Sequence, residues 1–321
     1  MSRTLPATPD AIAEAAAVLR SGGLVAMPTE TVYGLGARAL DSEAVKRIYA
    51  AKQRPATSPL IAHVDSIEQA RSLLLEWPTS AQRLAEAFWP GPLTLVLPKA
   101  AHVPDALSGG GPRLGVRLPA HPVALALIRA LGEPIAAPSA NRFMQLSPTR
   151  AEHVERGLGD AVDLILDGGD CAYGIESTVV RLDPDGATLL RPGAIPAALI
   201  EQVLGAVLRR GVPVDTTPGI AQDSPGLHQR HYAPRTPLFL WQPGQALPPG
   251  RGALLALSSV DSEAAQRVQM PNAAAAYAQG LYAALHTLDG AELDWIAVQA
   301  PPSDAAWAAV HDRLQRATHI D

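Results

Sequence analysis

The chain has 321 residues, 47% of them hydrophobic and 18% charged, with a formal net charge of -5. That length suggests about two domains, each able to bury a core without staples, and the acidic balance argues against a protein whose main task is coating nucleic acid. The single cysteine, Cys171, excludes an internal disulfide and a zinc site built on thiolates.

Residues 1–10 contain no apolar core of signal-peptide length, and no run of about 18 apolar residues predicts a membrane span. The expected compartment is the cytoplasm. Thr8-Pro9-Asp10 opens a helix with a capping residue, proline at the first helical position and then an acid. Ile12, Ala15, Ala16 and Leu19 share one face, and Gly22-Gly23 stop it. Leu24 to Met27 reads as a short buried strand and Pro28 to Gly36 as a loop. Asp41 caps the next helix, with Val45 and Ile48 inward.

Strand and helix then alternate. Pro59 to Val64 reads as a strand and Ser66 to Leu75 as a helix. Thr79 with Gln82 makes a capping box for a helix reaching Phe88. Leu93 to Leu97 and Leu114 to Leu118 are expected strands, Pro122 to Leu131 a helix, and Ile135 to Ala137 a short strand. Thr149 to Leu158 reads as helical and Leu164 to Leu166 as extended. Ser177 to Leu182 and Ala187 to Arg191 flank Asp183-Pro184-Asp185-Gly186, a hairpin turn. Pro196 to Arg209 closes this half as a helix. Gly211 to Pro237 loses periodicity and reads as a linker. Beyond it, strands at Leu238 to Trp241, Ala253 to Leu257 and Trp295 to Gln299 alternate with helices at Asn272 to Leu288 and Ser303 to Arg316. The expected division is 1–210, 211–237 and 238–321.

The polar signals concentrate in loops at strand ends, where open α/β sheets hold ligands. The first is PTETVYGLG, Pro28 to Gly36, whose hydroxyls Thr29 and Thr31, acid and glycines suit either a polar ligand or a capped turn. The glycines also match a relaxed dinucleotide fingerprint, but Lys52 and Arg54 stand where that motif needs an acid. The second is Lys52-Gln53-Arg54-Pro55, followed by Ser58 and His63. Its cations either compensate a helix dipole or face a phosphate, with Arg54 held extended by Pro55. The third is Arg117 in GVRLP. An arginine in an apolar strand needs a partner, and a carboxylate ligand or an internal acid would serve equally. The fourth is APSAN, Ala137 to Asn141, with Ser139, followed by Ser147 in SPT; these short polar side chains stand where a strand hands over to a helix. GIESTVV with Ser177 and RPG with Arg191 add further hydroxyls and a cation. There is no Walker loop, zinc-binding spacing or serine-nucleophile elbow. His228 and His231 lie three apart without acids or cysteines around them.

Taken in order, PTETVYGLG, KQRP, PLIAHV, WPGPLTLVL, GVRLP, APSAN, SPT, DGG, GIESTVV and RPG resemble the Sua5/YrdC family of threonylcarbamoyl-AMP synthases, over about residues 12 to 209. SPGLHQRHYAP, Ser224 to Pro234, resembles the segment joining that domain to the extra C-terminal domain of the long Sua5 type. The resemblance implies an α/β fold: a YrdC-like open twisted mixed sheet with helices and a ligand cleft, plus a smaller Rossmann-like α/β C-terminal domain. It implies condensation of L-threonine, bicarbonate and ATP to threonylcarbamoyl-AMP and pyrophosphate, for the t6A modification at position 37 of ANN-decoding tRNAs. Thr31, His63, Arg117, Ala137 and Ser177 match positions that hold L-threonine. Arg54, Ser58, Ser139, Ser147, Arg191 and Tyr232 match positions that hold ATP. Lys52 with Arg54 and Ser139 with Asn141 match the two motifs tied to activity, Lys52 and Arg54 facing the phosphates. Mg²⁺ is expected to ride mainly on the phosphates. The product is expected to pass to a tRNA threonylcarbamoyl-transfer complex, with tRNA binding weak or indirect and no membrane partner.

Two departures stand out. Ser58 replaces the family's frequent Asn, and Met144 replaces a usual Gly. Methionine disfavours positive φ, so the loop before Ser147 is expected to take another shape. Two rival readings are weighed. In one, a basic cleft docks RNA without chemistry; the acidic charge and scarce aromatics count against it. The other is the related domain of hydrogenase-maturation carbamoyltransferases, whose cysteine-rich zinc modules this chain lacks.

Overall fold

A computed structural model describes residues 3–210, 231–259 and 264–318. Strand alternation sorts the first part of the chain into layers. In the strand Val25–Met27, Val25 and Met27 face one way and Ala26 the other. The first face packs on the helices Pro9–Arg20 and Pro122–Leu131, through Ala15, Leu19, Leu127 and Ile128. The second packs on the helices Ser42–Lys52 and Thr79–Phe88, through Val45, Ile48 and Leu84. The local signals act as expected at two helix starts. Thr8 accepts from Ala11 N, and Asp41 accepts from Glu43 N and Ala44 N.

Among the described residues these layers enclose an eleven-stranded mixed sheet. Its spatial order is Arg3–Pro6, Leu164–Asp167, Val25–Met27, Gly34–Arg38, Ile135–Ala136, Ile61–His63, Arg113–Arg117, Leu93–Pro98, Thr178–Asp183, Gly186–Arg191 and Arg209–Arg210. A separate sheet of four parallel strands runs Leu238–Trp241, Trp295–Gln299, Gly252–Ala256 and Gln266–Gln269. It packs on the helices Ala274–Asp289 and Ala308–Thr318 through Leu255, Ile296, Val298, Leu281 and Leu314. The same apolar cluster takes in Val32, Leu146, Ile175 and Tyr232. The core of the smaller unit therefore continues beneath the loops of the larger one.

Several expectations need correction. Pro28 to Gly36 is not all loop, because Gly34–Arg38 is a strand paired on both sides. Its small residues carry little strand propensity; closeness selects them, since a Cβ on Gly34 would lie 3.2 Å from Ala137 Cβ. The Thr79/Gln82 capping box does not form. Pro78 is the cap residue, without a side-chain hydrogen bond, and Gln82 Oε1 accepts from Trp77 Nε1 instead. The helix expected to reach Arg209 is Ala197–Leu204, ended by Gly205, and Arg209–Arg210 is an edge strand. Met144 does adopt the left-handed backbone, at φ 68°. Its carbonyl accepts from Ala233 N at 2.9 Å, so tertiary docking overrides the local preference. The linker is not uniform either. Residues 231–237 pack into the fold, with His231, Tyr232 and Ala233 buried, whereas His228 and the rest of 211–230 lie outside the described residues.

Candidate active site

The hollow forms where the central strands of the large sheet end. Ile61–His63 and Arg113–Arg117 are parallel neighbours with His63 opposite Arg117, which brings both side chains to one end of the sheet. Gly34 bridges to Ser139, pulling the APSAN turn against the PTETVYGLG strand. Ser177 precedes the strand Thr178–Asp183, and Arg191 closes the hairpin beside it, opposite Val179. Tyr232 arrives from the far side, in a left-handed conformation at φ 61°. Together with Thr29, Val32, Ile61, Pro138 and His231 these groups line about 510 Å³ of atom-free space.

Hydrogen bonds fix the rim. Thr29 Oγ1 accepts from Thr31 N and Val32 N, both at 3.2 Å, and donates to Val32 O at 2.6 Å. The Thr31 hydroxyl lies 2.9 Å from Thr29 Oγ1 and accepts from Arg117 Nη1 at 3.0 Å. Since the Thr29 proton is committed to Val32 O, Thr31 donates to Thr29, and its orientation is set. Ser177 Oγ lies 2.8 Å from Thr94 Oγ1 and accepts from Arg191 Nη2 at 3.2 Å.

The electrostatics are unusual for so buried a place. Arg54, Arg117 and Arg191 are all buried and all line the hollow. Arg117 has the internal acid that the sequence left open: Nη2 lies 2.7 Å from Glu30 Oε1. Burial pushes the Glu30 carboxyl up, but the Arg117 charge and the hydrogen bonds it receives hold it below its usual value. Arg54 donates to Ser58 O at 3.4 Å and Pro59 O at 3.2 Å, and its guanidinium stands 5.6 Å from the Phe143 ring centre. Burial, with repulsion from Arg191, lowers its pKa to about 10. Burial, then the Arg117 charge, pushes His63 down to about 3, so its ring is neutral at pH 7. His63 Nδ1 is a buried polar atom with no partner. Glu176 is the carboxylate lining the hollow, and it is engaged by Arg313 Nε at 2.7 Å. The arrangement therefore presents excess positive charge, a neutral imidazole and oriented hydroxyls to one space. That set suits a small polar molecule beside a polyanion.

The comparisons with known proteins agree with this geometry. A family model for Sua5, YciO and YrdC proteins, described as "Telomere recombination", matches residues 17–193, and one described as "Threonylcarbamoyl-AMP synthase, C-terminal domain" matches 195–318. The chain belongs to the Sua5/YrdC family. The threonylcarbamoyl-AMP synthase of Bacillus subtilis is 40% identical over 95% of this chain and 92% of its own. That of Pyrococcus abyssi is 50% identical over 68% of this chain, a match spanning 64% of the Pyrococcus protein. The crystal structure of P. abyssi Sua5 complexed with L-threonine superposes with a TM-score of 0.89 at 38% identity, covering 99% of this chain and 97% of that one.

In this Sua5/YrdC chain, Thr31, His63, Arg117, Ala137, Ser177, Arg54, Ser139, Arg191 and Tyr232 come together around the hollow. Lys52, Ser58, Asn141 and Ser147 are not among the lining residues. Lys52, through its ammonium, donates to Ser139 O and Asn141 O. It is the last residue of its helix and 1% exposed, so it props up the APSAN turn from beneath. Burial, then the neighbouring Arg54 charge, lowers its pKa well below the ordinary value. Asn141 Nδ2 donates to Arg142 O and Gln145 O, both at 2.8 Å, bracing the same turn. The Ser147 hydroxyl donates to Glu176 Oε1 at 2.5 Å. The Ser58 carbonyl accepts from Tyr49 OH at 3.0 Å.

Sequence reasoning gave no role to Glu176, Tyr282 and Arg313, and counted Glu30 only as the acid of its motif. Glu30 and Glu176 sit inside quoted motifs, and an acid beside an apolar strand was the available signal for both. Nothing local marks Arg313, which lies on the C-terminal helix. Cys171 is buried with its thiol pKa raised by that burial, which fits no nucleophilic role.

Proposed function

We propose that this chain is a threonylcarbamoyl-AMP synthase that joins L-threonine, bicarbonate and ATP. The observation that carries the reading is the convergence of three buried guanidiniums, Arg117 of them paired with Glu30, on a hollow whose lining carboxylate, Glu176, is paired with Arg313. A polyphosphate would answer the positive charge that remains. The names of the Bacillus and Pyrococcus relatives, and L-threonine in the Pyrococcus complex, support the choice of substrates.

Threonine's amine and bicarbonate would combine to a carbamate with loss of water. The carbamate oxygen would then attack the α-phosphorus of ATP, and the α–β bridging oxygen would leave with pyrophosphate. No covalent protein intermediate is required, and catalysis rests on positioning and charge stabilisation. Arg117, hydrogen-bonded to Thr31, would orient the amino acid, and neutral His63 would offer it the buried Nδ1. Arg54 and Arg191 would balance charge moving onto pyrophosphate, while Lys52 keeps the Ser139–Asn141 backbone in place. Among the described residues no three His, Cys, Asp or Glu groups cluster as metal ligands. Mg²⁺, riding mainly on phosphate oxygens, would neutralise phosphate charge.

The domain reading follows: a catalytic unit over 1–210 and a second α/β unit over 238–321, with Tyr232 between them closing over the nucleotide. The product would be handed to a tRNA threonylcarbamoyl-transfer complex in the cytoplasm. No helix among the described residues is long and apolar enough to cross a membrane. The test is mass-spectrometric detection of threonylcarbamoyl-adenylate, together with pyrophosphate release, from the purified chain without RNA. Production by wild type and its loss in Arg54→Ala is the expected result. Release of pyrophosphate independent of L-threonine would overturn the reading.

A further inference from the structure

The C-terminal helix Ala308–Thr318 reaches the wall of the hollow through one fully buried side chain, Arg313. Its Nε donates to Glu176 Oε2 at 2.7 Å. Its Nη1 donates to Pro192 O at 3.0 Å, next to Arg191, and to Asp312 Oδ2 at 2.5 Å. Its guanidinium carbon lies 5.1 Å from the centre of the Tyr232 ring. Tyr282, on the helix Ala274–Asp289, adds hydrogen bonds to both oxygens of Glu176, at 3.4 and 3.2 Å. One side chain of the smaller unit thus grips three pieces of the rim: the GIEST loop, the RPG turn and the segment carrying Tyr232.

Simple adhesion between two units does not call for a buried ion pair, since apolar residues of similar volume would do as well or better. What the planar fork adds is direction, because each N–H fixes one acceptor. The acceptors fixed here stand next to Ser177 and Arg191, and Arg191 Nη1 lies 3.4 Å from Tyr232 OH. Of the gripped pieces, one carries Tyr232 and another adjoins Arg191, both matched above to the nucleotide, while Glu176 adjoins Ser177, matched above to L-threonine.

We propose that Arg313 is a positioning residue for the nucleotide side of the site, anchoring Glu176 and Tyr232 so that the C-terminal unit sets the geometry in which ATP is held. The proposal rests on the synthase reading above. It gives the C-terminal domain a task in the reaction itself.

The test compares the full chain with R313M, R313K, E176Q and the double variant R313M/E176Q. Melting temperature is recorded, together with kcat and separate KM values for ATP and L-threonine by pyrophosphate release. A lost charge-assisted hydrogen bond predicts a rise in the ATP KM of about ten- to a hundredfold in R313M, with the L-threonine KM changing less than about threefold. R313K should recover part of the loss, keeping the charge but not the fork. The double variant should fall within about twofold of the worse single one, since the pair acts as a unit. Unchanged ATP KM in R313M overturns the proposal. So does a parallel rise of both KM values with a fallen melting temperature, or full additivity in the double variant. Should R313M fail to fold, E176Q carries the test through the same ATP-side rise, and an unchanged KM there is equally decisive. A wild-type chain that releases no pyrophosphate would refute the synthase reading instead. Calorimetric ATP binding by the same variants would then decide the role of Arg313.

Discussion

Replacing Arg54 with methionine should separate stability from function in opposite directions. The folded-state pKa of Arg54 falls from 12.5 to about 10. A cation with a depressed pKa carries a destabilising term wherever it is charged, at every pH below that value, and sheds it only as pH rises through it. At pH 7 that term is about 3 kcal/mol. The compensating contacts are two long hydrogen bonds to Ser58 O and Pro59 O and the Phe143 ring, together worth about 2–3 kcal/mol. Arg54→Met without ligand should therefore melt close to wild type or slightly higher. ATP should report the reverse. At a hundred times its Kd, ATP adds about 2.7 kcal/mol to wild type. If the variant binds about ten- to a hundredfold more weakly, the same concentration adds only about 1.4 to 0.4 kcal/mol. Differential scanning fluorimetry with and without ATP and L-threonine reads both quantities in one experiment. A ligand-free variant melting far below wild type, with an undiminished shift on adding ATP, would show that Arg54 is a structural arginine.

Two further outcomes follow from the packing. Gly174 has φ 68°, and a Cβ there would lie 2.3 Å from Gln279 O on the helix Ala274–Asp289. Gly174→Ala should push the smaller unit off the GIEST loop, visible as faster amide exchange in that helix and an ATP KM raised several-fold; unchanged exchange would contradict the close approach. His153 and His286 stack with ring centres 4.0 Å apart. Burial lowers them to about 3 and about 4, with Arg150, Arg156, Glu152 and Asp289 nearby. Their depressed pKa values mean the unfolded chain binds protons first. Stability is then full above the ordinary histidine value and falls as pH drops from about 6.5 toward 4. Replacing His286 with Gln should flatten that acid limb of the melting curve, and an unaltered slope would exclude the pair as its source.

Much of the fold was legible in the sequence because its signals are local. Thr8 and Asp41 cap helices whose first turns they occupy, and the alternation around Val25, Ala26 and Met27 names the two faces of a strand before any partner is known. The site was legible in a different way. An ordered string of short motifs pointed to Thr31, Arg54, Arg117, Ser139 and Arg191, and these converge. Gly34–Arg38 escaped because its small residues carry no strand propensity, and Thr79 misled because an apparent capping box needs a backbone geometry that Pro78 supplies elsewhere.

The chain's own residues, read in order, thus determine which elements form, which faces are apolar and which loops carry charge, since each depends on neighbours a few positions away. Tertiary structure alone decided that Lys52 turns to backbone carbonyls, that Glu30 neutralises Arg117, and that Arg313 reaches Glu176 from 137 residues away. The partner of a buried charge is chosen by strand order and domain docking, and neither leaves a periodic trace in sequence.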